Sequence, residues 1–157
     1  MRKLEYFTNC KKNRLYRLYL AYSYKKMSVK LGFYIPINTF GPGLSIAHYG
    51  SIVINEGAKV GSNCRIHVGT NIGTSAGFRD QAPIIGDNCY IGPGAKLFGK
   101  IYIGDDSVIA ANAVVNKTFN ERGVTLGGIP AKVISNKSSK GIIIQGHSNT
   151  LHGIKKD

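Results

Sequence analysis

Two histidines in the middle of the chain, His48 and His67, carry the side chains best suited to acid–base chemistry. An imidazole is largely neutral near pH 7, so it can take a proton from a hydroxyl group as that hydroxyl attacks a carbonyl carbon. His48 stands six residues before Ile54, where a six-residue aliphatic pattern would place a hydrophobic side chain. We interpret this exchange as a sign of chemistry, with a buried histidine or a histidine in a subunit contact as the alternatives.

The elements that must position these histidines follow a six-residue period. Aliphatic side chains recur at every sixth residue in two blocks, from Ile54 to Ile72 and from Ile85 to Val115. A helix repeats at about 3.6 residues and a strand at about 2, so neither explains this period. A parallel β-helix does, because three short strands complete one coil and stack its aliphatic residues on those of the coil below. Mostly small residues, also expected to point inward, follow four places later: Ala58, Cys64, Thr70, Ala76, Cys89, Ala95, Ile101, Ser107 and Ala113.

Turn residues and a break in the spacing fit the same fold. Glycine makes up 20 of the 157 residues, and Asn63, Asn88 and Asn112 fall where corners need a positive φ. The step between the two aliphatic blocks is thirteen residues instead of twelve, which predicts that residues 77–83 leave the coil as a loop. Together the blocks predict about four to five coils.

Three segments of the chain carry a resemblance to a known family. They are GLSIAHYGSIVINEGAKVG, IGDNCYIGPGAKLFGKIYIGDDSVIAANAVV and the closing GGIPAKVI. They resemble the hexapeptide-repeat acyltransferases and are most similar to the serine acetyltransferase branch, over about residues 35–134. The resemblance implies a mainly β fold, a left-handed parallel β-helix of hexapeptide repeats with a short N-terminal helical segment.

The resemblance also implies a chemistry. The general base of the family lies in a motif of His, Gly, β-branched residues and Glu, and His48 and Glu56 match its positions. We therefore predict an enzyme, an acetyl-CoA-dependent O-acetyltransferase, with His48 and Glu56 as catalytic residues. No metal is expected, because a metal site on this fold needs three histidines and only His48 and His67 lie within the repeats.

Departures from the serine-specific pattern bear on the acceptor. Those enzymes usually carry Asp directly before the base and a second Asp fifteen residues before it, where this chain has Ala47 and Phe33. The Arg-His pair of their active-site loop aligns with Gln81 and Ala82, so a clamp for an amino-acid carboxylate is missing. The predicted acceptor is therefore a sugar hydroxyl in surface polysaccharide biosynthesis. Serine O-acetyltransferase, in cysteine biosynthesis, is the alternative, and a non-catalytic β-helix scaffold or binding module is the alternative of another class.

Further site residues are predicted around the base and the donor. His67 follows the inward Ile66 and so points outward, where it can touch the acceptor, and Arg79 and Asp80 lie in the loop near the missing clamp. In the resembled family the pantetheine arm of coenzyme A lies between coils of two subunits, which implies a homotrimer. The predicted cofactor-binding residues are Gly73, Pro93, Ala95, Ala111, Lys117 and Lys132.

The net charge of +13 is unevenly distributed along the chain. Residues 1–30 hold nine basic side chains and one acidic side chain, residues 31–134 carry only +2, and residues 135–157 add +3. The chain divides accordingly into a basic helical segment, a β-helix acyltransferase domain and a C-terminal tail. The small charge of the β-helix suits a phosphate-bearing cofactor and not a nucleic acid, for which no known binding module is present.

The N-terminal segment has the spacing of an amphipathic helix. Leu15, Leu18, Tyr19 and Tyr22 stand at i, i+3, i+4 and i+7, with basic residues around them. We expect this face to cap the β-helix, and peripheral contact with an anionic membrane is the alternative. The sequence has no apolar run of the length that a signal peptide or a membrane span needs. We therefore expect a cytoplasmic protein, at the inner face of the membrane if this segment binds lipid.

Overall fold

The computed structural model describes residues 1–11, 13–78, 81–144 and 146, with two helices followed by a mainly β domain. The helices are α1 (Arg2–Asn9) and α2 (Arg14–Leu31). Short strands follow in chain order: β1 (Phe33–Tyr34), β2 (Ser45–Ile46), β3 (Ile52–Ile54), β4 (Lys59–Val60), β5 (Arg65–Ile66), β6 (Asn71–Gly73), β7 (Ile84–Ile85), β8 (Tyr90–Ile91), β9 (Lys96–Phe98), β10 (Tyr102–Ile103), β11 (Val108–Ile109), β12 (Val114–Val115), β13 (Thr125–Gly128) and β14 (Ala131–Ser135).

Three sheets run along the β domain, and strands of successive coils are neighbours within each sheet. Their strand orders are β1-β3-β6-β9-β12, β4-β7-β10 and β2-β5-β8-β11-β13, all parallel, and β14 adds to the last sheet in the antiparallel direction. The register stacks the aliphatic residues of successive coils on each other, since Ile46 pairs with Ile66, Ile66 with Ile91, and Ile91 with Ile109. The predicted parallel β-helix is confirmed.

The core of the β-helix is made of stacked aliphatic side chains. Ile54 and Ile72 in one sheet, and Ile66 and Ile91 in another, have no exposed surface. Burying one such side chain stabilises the fold by roughly 1.5–3 kcal/mol. The stacks therefore hold the coils in register and fix which residues reach the corners.

Cys64 and Cys89 lie in this core, as predicted, and neither has exposed surface. The Cys89 amide donates a hydrogen bond to Cys64 Sγ at 3.4 Å. A side-chain hydrogen bond with Cys64, together with burial, raises the pKa of the Cys89 thiol. Cys89 is therefore a thiol at neutral pH, and its place in the core makes it a packing residue and not a nucleophile.

The corners between strands confirm most of the predicted turns. Asn63, Asn88 and Asn112 have φ values of 55°, 54° and 57°, in the left-handed region that asparagine tolerates better than most residues. The prediction for Ala76 is wrong, because this residue is exposed. The predicted departure from the coil lies between β6 and β7, where the Ser75 amide donates a hydrogen bond to the Gln81 carbonyl at 3.4 Å.

The two helices take different roles at the first coil. Leu4 and Glu5 of α1 are buried, and the Arg2 guanidinium donates a hydrogen bond to the Phe40 carbonyl at 3.0 Å and another to the Gly41 carbonyl. Helix α1 therefore covers the open end of the β-helix. Helix α2 begins at its N-cap Asn13, whose side chain accepts a hydrogen bond from a main-chain amide one turn later.

The predicted cap of the β-helix is formed by α1 and not by the leucine and tyrosine face of α2. The helix itself is present, but Leu15, Leu18, Tyr19 and Tyr22 are all exposed. The opposite side of α2 faces the protein, where the Tyr24 hydroxyl donates a hydrogen bond to the Ile35 carbonyl at 2.5 Å. Among the described residues, no helix has the length and apolar character required to cross a bilayer.

The start of the C-terminal tail folds back onto the β-helix. Ser139 is buried, its amide donates to the Asp106 carbonyl at 2.9 Å, and its hydroxyl donates to the Asn88 carbonyl at 2.6 Å. These hydrogen bonds attach residues 136–144 to one corner of the coil. Residues 147–157 lie outside the described part of the chain.

Candidate active site

His48 lies on an exposed corner and not in the core slot that the repeat suggested. Ile46 occupies the inward position of β2, pairs with Ile66 and packs against the core. The step from Ile46 to Ile54 is eight residues instead of six, so two extra residues enlarge the corner after β2. The sequence-based interpretation of His48 as a replaced core residue is therefore wrong. The imidazole is exposed to solvent because the corner carries it outward.

A glycine closes this enlarged corner. Gly50 has a φ of 134°, and a Cβ atom at this position would lie 2.5 Å from Val68 Cγ2. Its amide donates a hydrogen bond to the Leu31 carbonyl at 2.9 Å, which ties the corner to the end of α2. The position of His48 is therefore set by the main chain on both sides of the corner.

Corner residues of successive coils line up with His48 along one edge of the β-helix. His67, Pro93 and Ala111 follow β5, β8 and β11, the strands paired in succession with β2. The Asn112 amide donates to the Pro93 carbonyl at 2.9 Å, which joins the two upper corners. We call His48, His67, Pro93 and Ala111 the histidine edge. At about 4.8 Å per coil, Ala111 stands roughly 14 Å above His48.

Three rings lie in succession at the lower end of the histidine edge. The ring centroids of His48 and His67 are 6.1 Å apart, and those of His67 and Tyr90 are 4.9 Å apart. His67 points outward from its coil, as predicted, and it is half-buried beside the exposed His48. The structure therefore brings the predicted base and one predicted acceptor residue together.

The surroundings of His67 favour its neutral form. Burial, followed by the nearby charges of Arg65 and His48, lowers the pKa of His67 below its usual value. His67 Nε2 is shielded from solvent, and no group among the described residues forms a hydrogen bond with it. Arg65 Nε is likewise shielded from solvent and forms no hydrogen bond with the described residues. A buried polar atom that forms no hydrogen bond destabilises the fold by about 1–3 kcal/mol. A ligand that forms hydrogen bonds with these two atoms would therefore be favoured.

Glu56 lies on a different edge from His48. It follows β3, and the three residues of that strand separate its corner from the corner of His48. No hydrogen bond or ion pair joins Glu56 to the parts of the chain that the structure describes. Gly73 and Lys117 follow or end strands of the same sheet, so we call Glu56, Gly73 and Lys117 the Glu56 edge. Within one protomer, Glu56 does not reach the predicted base.

The predicted coenzyme residues are divided between the two edges. Pro93 and Ala111 are exposed on the histidine edge, and Lys132 stands above them, paired with Gly127 at the end of the same sheet. Ala95 has no exposed surface, so its side chain belongs to the core and only its main chain is open to a ligand. Small corner side chains with an exposed lysine above them fit a narrow chain that ends in phosphates.

The structure describes only some of the residues that bear on the choice of acceptor. Arg79 and Asp80 lie outside the described residues. Ala82 is buried, while Gln81, Ala47 and Phe33 are half-buried. No group of three metal-ligating side chains occurs in the described ranges.

Sequence reasoning missed Tyr90 and Arg65. Both point outward from the sheet that carries the histidine edge, and Arg65 pairs with Tyr90 in the register. The sequence could have indicated both residues, because Arg65 and Tyr90 are one coil apart once the extra residues of the loop after β6 are subtracted. Outward positions of successive coils form a surface column just as inward positions form the core.

Comparisons with known proteins agree with this fold. The family model of the bacterial transferase hexapeptide (six repeats) matches residues 82–117. Serine acetyltransferase of Mycobacterium tuberculosis is 40% identical over 100 residues, which are 63% of this chain and 43% of that protein.

Solved structures of serine acetyltransferases superpose on most of the chain. The enzyme of Brucella abortus in complex with coenzyme A has a TM-score of 0.71 at 29% identity, covering 87% of this chain and 54% of that one. The enzyme of Neisseria gonorrhoeae in complex with serine has a TM-score of 0.65 at 34% identity, covering 76% and 52%. The chain thus spans about half the length of these relatives. In its repeats and its fold the chain is therefore similar to the hexapeptide-repeat acyltransferases near the serine acetyltransferase branch, which are left-handed β-helices.

Proposed function

We propose that this protein is an acetyl-CoA-dependent O-acetyltransferase whose general base is His48. The observation that carries the proposal is the exposed imidazole on the histidine edge, beside a second histidine and below small corner residues that suit a pantetheine chain. The similarity to serine acetyltransferases, one of them solved with coenzyme A, supports the same activity. Coenzyme A carries the acetyl group as a thioester, so it is a substrate of the reaction and not a resident group.

The proposed role of His48 is to take one proton. The hydroxyl of the acceptor loses its proton to the imidazole while its oxygen forms a bond to the thioester carbonyl carbon. The carbon–sulfur bond then breaks, and the imidazolium returns the proton to the leaving thiolate. The products are an acetyl ester and coenzyme A with a free thiol, and His48 ends in its starting state.

His67 is proposed to bind the acceptor next to this base. Its lowered pKa keeps the ring neutral at pH 7, so one ring nitrogen can accept a hydrogen bond from a second hydroxyl or an amine of the acceptor. The unpaired Nε2 and the neighbouring Tyr90 ring support this role. Arg79 and Asp80 remain predicted acceptor contacts from the adjoining loop.

A homotrimer is proposed because the site residues lie on two edges. Pro93, Ala111 and Lys132 belong to the histidine edge, whereas Gly73 and Lys117 belong to the Glu56 edge. A strand separates the two edges within a protomer, so one extended coenzyme cannot use both at once. If the Glu56 edge of one copy faces the histidine edge of the next, both sets of residues reach the same coenzyme. Glu56 then lies near the base of the neighbouring copy.

L-serine is the first candidate acceptor. The similarities favour it over the sugar hydroxyl that the sequence departures suggested, since the relatives are serine acetyltransferases and one was solved with serine. The sugar hydroxyl stays as a second candidate on one observation. Gln81 and Ala82 supply no cationic group in the loop, so Arg65 is the cation beside His67, whereas Tyr90 and His67 offer rings against which a sugar can pack.

A thiol-release assay tests this function. The protein is incubated with acetyl-CoA and either L-serine or members of a nucleotide-sugar panel, and free thiol is followed with a chromogenic disulfide. Acceptor-dependent thiol release with one of these acceptors supports the proposal, and the acceptor that gives the higher kcat/KM decides between the two candidates. If neither acceptor gives release and calorimetry shows no binding of coenzyme A, the β-helix is a scaffold or binding module.

A further inference from the structure

We propose that helix α2 binds an anionic lipid surface through its exposed apolar stripe. The stripe consists of Leu15, Leu18, Tyr19, Tyr22 and Val29, and we call it the α2 stripe. These residues share one face of the helix, because they repeat at i, i+3, i+4 and i+7. Their exposed fractions are 81% for Leu15, 68% for Tyr22 and 75% for Val29. The proposal concerns a surface outside the candidate site and does not depend on the proposed activity.

The α2 stripe is free because other parts of the helix make its contacts with the protein. On the opposite side of α2, the Tyr24 hydroxyl donates a hydrogen bond to the Ile35 carbonyl. Helix α1, and not the stripe, covers the first coil. None of the eighteen residues of α2 is buried. The one ring contact of the stripe among the described residues is the stacking of Tyr19 on Tyr16, so most of its apolar surface is left in water, which is unfavourable.

Charge indicates which partner covers the stripe. Lys25 and Lys26 stand three and four residues after Tyr22, so they lie on the same face between Tyr22 and Val29, and Lys30 follows Lys26 by one turn. No Asp or Glu occurs in the sequence between Tyr6 and Asn55. The one acidic residue of the helical region, Glu5, is buried and paired with Arg2 at 2.9 Å. The partner must therefore supply the negative charge.

A symmetric contact between the α2 stripes of two copies does not meet that requirement. Packing two α2 stripes against each other would bring lysines of one copy close to lysines of the other, with no acidic side chain on either helix to compensate. An anionic lipid surface supplies negative phosphates for the lysines and an apolar layer for leucine and valine. Tyrosine suits the boundary between the two, since its ring is apolar and its hydroxyl is polar. These three kinds of side chain suit the boundary between water and lipid.

Vesicle co-sedimentation tests the proposal with the full chain. We expect the protein to sediment with vesicles of phosphatidylcholine mixed with phosphatidylglycerol, and at least tenfold more weakly with phosphatidylcholine alone. Added salt should weaken the binding, because it screens the lysines. The double variant Leu18→Ser/Tyr22→Ser should lose at least tenfold in affinity. The double variant Lys25→Gln/Lys26→Gln should lose binding to the anionic vesicles while keeping its helix content by circular dichroism.

Matched controls come from the other end of the described chain. Ile142→Ser/Ile144→Ser removes two exposed apolar side chains, and Lys137→Gln/Lys140→Gln removes two exposed charges, so both should bind as the unmodified protein does. Equal binding to neutral vesicles, or unchanged binding by the stripe variant, overturns the proposal. A stripe variant that instead changes oligomeric state in sedimentation velocity assigns the stripe to a contact between copies, which also overturns it. The thiol-release rate with a soluble acceptor should stay unchanged in all four variants.

Discussion

The histidine edge and the Glu56 edge belong to the same β-helix but depart from its repeat in different ways. On the histidine edge, two extra residues between β2 and β3 lift His48 to the surface. On the Glu56 edge, extra residues after β6 form the longer excursion that ends at β7. In both places the inward stacks are unbroken, since Ile46 pairs with Ile66 and Ile54 with Ile72 across the first, and Ile72 with Leu97 across the second. The core sets the coil, and the corners are where residues can be added for function.

Adding a large side chain on the histidine edge should have the largest effect on coenzyme binding. Ala111→Trp places a large ring at an exposed corner where the pantetheine arm is proposed to lie. We expect a loss of about a hundredfold in affinity for coenzyme A by isothermal calorimetry, because a misplaced donor cannot keep its contacts. Glu121→Trp, at an exposed corner on neither edge, is the control and should bind normally. Normal binding by Ala111→Trp would place the coenzyme elsewhere.

Removing one lysine from each edge should have a smaller effect and shows whether both edges serve one coenzyme. We expect Lys132→Gln and Lys117→Gln each to raise the KM for acetyl-CoA by about fivefold, corresponding to ~1 kcal/mol for an exposed charge contact. Lys100→Gln, also exposed, should leave the KM unchanged. A rise for Lys132→Gln alone would mean that a single protomer binds the coenzyme, against the proposed trimeric arrangement.

The smallest expected effect is on how the stability of the fold depends on pH, and it concerns His67. Because the pKa of folded His67 is lowered, the unfolded chain binds a proton there more readily than the folded one. Its contribution to stability is complete above the unfolded value of about 6.5 and is lost as the pH falls through the lower folded value. In thermal melts from neutral pH to about pH 5, His67→Asn should flatten the fall in Tm. An equally steep fall would show that His67 does not carry this effect.

The regular part of the fold was predictable because the residue type at each inward position indicates by itself that the side chain is buried. Residues at a six-residue spacing can all be buried only if the chain coils, and Asn63 and Asn112 mark corners by their tolerance of positive φ. The prediction that Ala76 points inward was wrong because the chain has already left the coil at this residue. The six-residue period alone does not show where a coil ends.

The candidate site was predictable only in part. His48 was identified correctly as a candidate residue but for a wrong reason, since its distance from Ile54 coincides with the repeat while Ile46 fills the core slot. The eight-residue step became visible only through the strand pairing. The α2 stripe was also identified as one helical face, but spacing alone does not say whether such a face is covered.

The central claim, that His48 takes the proton from the acceptor, is tested most directly by the turnover of His48→Asn. Asparagine keeps a polar side chain at the exposed corner but cannot act as a base. With the acceptor that the unmodified protein uses, kcat for thiol release should fall by about a hundredfold to ten-thousandfold. Calorimetric affinity for coenzyme A and the oligomeric state should stay the same. A kcat within about twofold of the unmodified protein would contradict the claim.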